Sequence, residues 1–176
     1  MRTLLSILVM MLCLSFGHSQ GTSYGIRIGY NISNLDFEPD ATFENKHRNG
    51  LAFAGFADIG LTETLSVMTE LQYSAEGGKE EPLRADYIQL PIQLRFNLSS
   101  DLTIGVGPQV SLKTWKNNDG FSTFAFSGVG GIEYMITEEL FIDARYSYGI
   151  TNILDEDLTT DEAKNHNIQI GFGIKI

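Results

Sequence analysis

The chain is poor in cysteine, proline and positive charge. Its 176 residues include one cysteine and four prolines, and 12 Lys+Arg stand against 22 Asp+Glu for a formal net charge of -10. The lone Cys13 excludes a disulfide framework and a cysteine-based zinc site. An acidic balance with no run of lysine or arginine excludes nucleic acid as a partner, because phosphate binding needs clustered positive charge. Helical periodicity is nearly missing too, and after the N-terminal run no stretch is apolar for the ~20 residues of a membrane helix. The length suits one domain. What the chain does have is 18 glycines, which suggest a tightly packed sheet, and apolar residues at every second position.

The N-terminus has a separate character. Arg2, the apolar run 4–16 and the small residues Gly17 and Ser19 have the form of a secretory signal peptide, with cleavage expected before Gln20. Cys13 follows Leu12 inside that run, where a lipoprotein signal has a small residue, so it is expected to leave with the signal rather than carry lipid. The expected organisation is a signal peptide at 1–19 and one outer-membrane β-barrel domain at 20–176.

Eight segments alternate with period 2, the signature of strands with unlike faces. Tyr24, Ile26, Ile28, Tyr30 and Ile32 form the first apolar face, and Leu51, Phe53, Ile59 and Leu61 the second, with Asp58 opposite. Leu65, Val67, Leu71 and Tyr73 alternate with Ser66, Met68, Glu70 and Gln72. Ile88 to Leu98 is the cleanest, its apolar residues set against Tyr87, Gln89, Pro91, Gln93, Arg95 and Asn97. Leu102 to Leu112, Phe124 to Ile136, Leu140 to Ile150 and Ile168 to Ile176 complete the set. Each has about the 9–11 residues that a tilted strand needs to cross a bilayer. Tight turns at 62–64, 99–101 and 137–139 alternate with polar loops at 33–49, 75–85, 113–122 and 151–164. Short turns on one rim and long loops on the other are the asymmetry of an outer-membrane barrel, with both termini on the periplasmic side.

Alternation alone does not say which face is outside. A secreted lipocalin-like barrel, apolar within, is the competing reading. The polar faces favour the membrane: they are rich in Gly, Ser, Gln and Asn instead of the Lys and Glu of a wet strand face. Tyr24, Tyr30, Tyr73, Phe96, Phe124, Tyr134, Tyr146 and Tyr148 stand on the apolar faces toward strand ends, as aromatic girdles do. The fold class expected is all-β, an eight-stranded antiparallel up-and-down transmembrane barrel.

The segments YGIRIGYNISNL, DYIQLPIQLRFNL, GVGPQVSL and IQIGFGIKI resemble the PorT-like outer-membrane β-barrel family over essentially the whole chain after the signal. The resemblance implies an eight-stranded barrel in a Bacteroidetes-type envelope, of a group labelled porin-like, in which some relatives assist secretion or maturation of exported proteins. It brings no catalytic motif. It also implies that the last strand, with Ile168, Ile170, Phe172, Ile174 and Ile176 at alternate positions, is the signal read by the barrel-assembly machinery.

The polar faces carry Arg27, Asp58, Glu70, Arg95, Glu133, Asp143, Arg145 and Lys175, four bases and four acids. In a lumen just wide enough for side chains they are expected to pair, since an unpaired buried charge is costly. The glycine pairs Gly105/Gly107 and Gly171/Gly173 lie in strands with no helix after them, so they suit crowding relief and not a nucleotide. The acidic segment 155–162 lacks the glycine of an EF-hand loop, and no metal or cofactor is expected. His166 has the outward parity of a lipid-facing catalytic histidine, yet no serine is placed beside it, and His47 stands far from any motif. The expected function is a monomeric, non-enzymatic barrel in outer-membrane lipid, with a side-chain-filled lumen and long extracellular loops that bind a ligand or serve structure. A narrow solute pore, an export accessory and a lipid-modifying enzyme are the alternatives.

Overall fold

The computed structural model describes residues 21–114, 120–154 and 161–176. The expected signal peptide and most of the acidic segment 155–162 lie outside them. The eight strands are β1 (Thr22–Glu38), β2 (Arg48–Gly60), β3 (Leu65–Gly77), β4 (Arg84–Asn97), β5 (Leu102–Lys113), β6 (Phe124–Met135), β7 (Leu140–Gly149) and β8 (Glu162–Lys175). All pair antiparallel in chain order. The barrel closes where β1 meets β8, from Gly25 opposite Lys175 to Glu38 opposite Glu162.

The faces are inverted relative to a water-soluble barrel. Ile26 is 66% exposed and Leu71 63%, whereas Arg27 and Glu70, their immediate neighbours, are 2% exposed. Successive strand residues point to opposite faces, so each outward Ile or Leu forces a polar neighbour inward. A lipocalin-like barrel would bury Ile26 and wet Arg27. This one does the reverse.

All the strands but β7, which has 10 residues, are longer than the 9–11 expected, up to 17 in β1. Residues 33–38, 48–49, 75–77, 84–85 and 162–164, read as loop from their polarity, are paired strand. Ladder bonds join backbone groups and do not require apolar side chains, so the sheet continues past the apolar band. Pro91 lies within β4, where it cannot donate, and the β3 and β5 ladders both break beside it, pairing again at Gln89 and Leu94.

At one rim the turns share one pattern: an apolar residue, Thr or Ser, two polar residues, then Leu. Thr62 Oγ1, Ser99 Oγ and Thr137 Oγ1 accept the backbone N–H of Leu65, Leu102 and Leu140 at 3.0, 3.1 and 3.0 Å. The hydroxyl stands in for the backbone acceptor that a short loop lacks. At the other rim an apolar cluster of Leu35, Phe121, Ala125, Ile153 and Ala163 roofs the lumen.

Candidate functional site

Because the polar faces converge inward, the lumen collects the side chains that could carry chemistry. It is organised in tiers. Nearest the short turns, Arg95 Nη2 meets Glu133 Oε1 at 2.6 Å and Arg95 Nη1 meets Asp58 Oδ2 at 3.4 Å. Lys175 Nζ reaches the same two carboxylates at 2.9 and 3.4 Å. Beside them Phe56, Met68 and Phe141 form an inward apolar cluster, with the two rings edge-on at 5.8 Å.

In the middle tier Arg27 binds Asp143 through two nitrogens, Nη2 to Oδ2 at 2.7 Å and Nε to Oδ1 at 2.9 Å. Arg145 Nη1 holds Glu70 Oε2 at 2.6 Å while its Nε turns to Asp143. All eight charges named from the sequence therefore lie inside, in two clusters of two bases and two acids each. Glycine makes room for them: a Cβ on Gly171 would stand 2.0 Å from Asp143 Oδ1 and 2.5 Å from Arg27 Nη2. One on Gly173 would lie 2.3 Å from the Phe141 ring.

Toward the loops the chemistry changes to amides and hydroxyls. Arg27 Nη1 donates to Gln169 and to Gln72 Oε1, joining the tiers. Asn31 Nδ2 donates to Ser74 Oγ at 2.9 Å and to the Ala75 carbonyl at 3.0 Å, while its Oδ1 accepts from Gln169 at 2.6 Å and Asn167 at 3.1 Å. Gln72 donates to Gln89, and Gln89 to Ser111. One carboxylate sits in this tier: Glu76, 1% exposed, although its polar neighbours in the sequence suggest a loop. The even-numbered inward parity of β3, continued from Glu70 through Gln72 and Ser74, is the signal that marks it.

The tiers leave little space. Two internal cavities, one bordered by Glu76 and Arg145 and the other by Arg95 and Arg145, measure about 10 Å³ each, room for about one water apiece. Larger openings lie at the two ends. A mouth of about 300 Å³ opens between the short turns, and at the loop rim a crevice of about 380 Å³ is lined by Asp36, Glu38, Asp40, Glu162, Lys164 and Tyr148.

The remaining sequence candidates are dispersed. His166 on β8 pairs across the ladder with Tyr148 and Asn34, while Ser33 and Ser147 are buried inward, so the ladder sets no serine beside the imidazole. His47 makes an isolated bridge with Gly78. Among the described residues no group of three or more His, Cys, Asp or Glu could hold a metal ion. Ile168, Ile170, Phe172, Ile174 and Ile176 form one outward row at the seam with β1 and β7.

A family model described as outer membrane protein beta-barrel domain matches residues 4–175. Among solved structures, Neisserial surface protein A is similar with a TM-score of 0.58 and 15% identity, covering 89% of this chain and 100% of that one. Ail, the attachment invasion locus protein of Yersinia pestis, is similar at 0.56 and 16% over 89% of this chain and 100% of that chain. Its complex with the heparin analogue sucrose octasulfate gives 0.55 and 17% with the same coverage. At these identities the likeness is one of fold. No curated protein sequence matches the chain.

Proposed function

Since the chain belongs to the outer-membrane-protein β-barrel domain family, we propose that this integral outer-membrane barrel acts through its loop rim, as a binding or structural protein rather than as a pore or an enzyme. The observation that carries the reading is the filled lumen. Two neutral ion clusters, an amide tier and an apolar roof occupy the path that a solute would take. What remains for a partner is the rim itself.

That rim is acidic. Residues 33–49 hold Asp36, Glu38, Asp40 and Glu44 against Lys46 and Arg48, and residues 151–164 hold five acids against Lys164. A polyanion like the heparin analogue bound to Ail would be repelled here, and a basic partner is favoured. In this reading the loops face the exterior and both termini the periplasm. The signal at 1–19 directs export, and the assembly machinery engages the outward row of β8. The protein then stands as a monomer in lipid. Within the family, the four quoted sequence segments support a PorT-like placement.

Two measurements test the proposal. Purified protein in a planar bilayer should show no stable openings; steady conductance on the nanosiemens scale of a large porin would overturn the closed lumen. Cells displaying the chain should adhere to a polylysine surface more than to a heparin surface, and replacing residues 39–47 with a Gly-Ser linker should lower that preference. Stronger adhesion to heparin would overturn the basic-partner reading and leave the closed lumen standing.

A further inference from the structure

The eight paired charges balance within their two clusters, so Glu76 adds one carboxylate to the lumen with no counterpart. Its partners are all neutral. Ser74 Oγ donates to Glu76 Oε1 at 2.6 Å, Gln89 Nε2 at 3.0 Å and Asn167 Nδ2 at 3.2 Å, while Asn165 Nδ2 donates to Oε2. The charged groups nearby are committed elsewhere. Arg145 of β7 borders the same cavity but holds Glu70 of β3 and Asp143 of its own strand. Arg48 of β2 donates to the main-chain carbonyl of Glu76 and pairs with Asp86 of β4 at 2.8 Å. β1, β5 and β8 present Asn31, Ser111 and the three side chains Asn165, Asn167 and Gln169. A buried carboxylate that lacks a cation carries a large desolvation cost.

A second anomaly lies beside it. Asn167 is 3% exposed, and its Oδ1 is buried with no hydrogen-bond partner; Asn165 Oδ1 is unpartnered as well. Two acceptors without donors border an anion without a cation. A water in the adjoining cavity would serve one amide oxygen but bring no charge.

We propose that Glu76 is a lumenal proton-binding site, with the amide oxygen of Asn165 or Asn167 as the acceptor for the bound proton. One proton neutralises the carboxylate and gives one of the two amide oxygens a donor. Glu76 takes it from hydronium, leaving water and a neutral carboxyl, and the new O–H donates to an amide oxygen. A half-turn of the amide, which exchanges oxygen for nitrogen in nearly the same volume, brings that oxygen to face Glu76. With the proton on Oε2, beside Asn165, Ser74 and Gln89 go on donating to Oε1. The site joins β3, β4 and β8 directly beneath the apolar roof, so gain or loss of the proton acts on the packing that closes the loop end.

The test is infrared spectroscopy of the full barrel in lipid vesicles at neutral pH, with ¹³C-carboxyl-labelled glutamate. Glu70 and Glu133 are paired with bases, so the wild-type protein should show the carbonyl stretch of one protonated buried glutamate, shifting in D₂O. Glu76→Gln, which resembles the neutral acid in shape, should abolish the band and keep the melting temperature within about 2–4 °C. Ser74→Ala removes one donor and should move the band's frequency, which keeps the assignment testable if the glutamine variant does not insert. Absence of the protonated band in wild-type protein overturns the proposal. So does a Glu76 carboxylate stretch that changes when sodium is replaced by choline, since a metal ion would then supply the missing charge.

Discussion

From the short turns to the middle of the barrel, the inward residues include eight formal charges arranged as mutual ion pairs. From the middle to the roof they are amides, hydroxyls and one carboxylate. Both regions bury polar groups away from water, but they fail differently. Removing one partner of a buried ion pair strands a charge, whereas removing one amide leaves neighbours that can turn or take up a water. The charged half should therefore be brittle and the amide half tolerant.

The largest effect should come from the middle tier. Asp143 joins Arg27 and Arg145, both nearly inaccessible, so Asp143→Ala leaves two guanidinium groups against one carboxylate. A loss of about 3–5 kcal/mol is expected, measured by urea unfolding in detergent or lipid. A loss below about 1 kcal/mol would mean that water reaches these charges and that the halves are not distinct.

A steric probe sharpens the contrast. Gly171→Ala puts a methyl group into the Arg27–Asp143 pair, 2.0 Å from Asp143 Oδ1, and should cost about 1–3 kcal/mol by overpacking. Gly130→Ala is the control on the outer face: its nearest atom is the Gly105 carbonyl oxygen at 3.8 Å. That variant should change stability by less than about 0.5 kcal/mol. Equal costs at the two glycines would remove crowding as the reason for glycine at position 171.

Much of this architecture is legible in the sequence, and the gaps have physical causes. Alternation locates the strands and the inward parity of all eight paired charges, because a two-residue period ties each side chain to its neighbour's face. It does not locate strand ends, since from Ser33 to Glu38 the outward face turns polar while the apolar residues Leu35 and Phe37 move to the inward face, which reverses the pattern that marks the rest of β1. Glu76 lies in the polar run SAEGGKEE, which reads as a loop until the β3 parity is carried two residues further. Phe56 and Phe141 point inward against the polar rule, where glycines at 25 and 173 open space for their rings. The roof escapes notice for another reason: Leu35 and Ile153 lie in short apolar patches of separate, mostly polar segments, and only the closed fold brings them together.

The smallest of the expected effects belongs to the amide tier and decides whether the comparison holds. Asn31 is fully buried and makes four hydrogen bonds, two given and two received. Counted as contacts, Asn31→Ala removes as many as Asp143→Ala does. Yet every group it leaves behind is neutral: Ser74 Oγ still donates to Glu76, the Asn167 amide still reaches Glu76, and Gln169 still accepts from Arg27. The deleted amide also opens a volume beside a cavity that already has room for about one water, and a second water there restores part of the network. The expected loss is about 1 kcal/mol, roughly the net worth of a single hydrogen bond, by the same urea unfolding. If Asn31→Ala instead matches Asp143→Ala, connectivity and not charge sets the stiffness of this lumen.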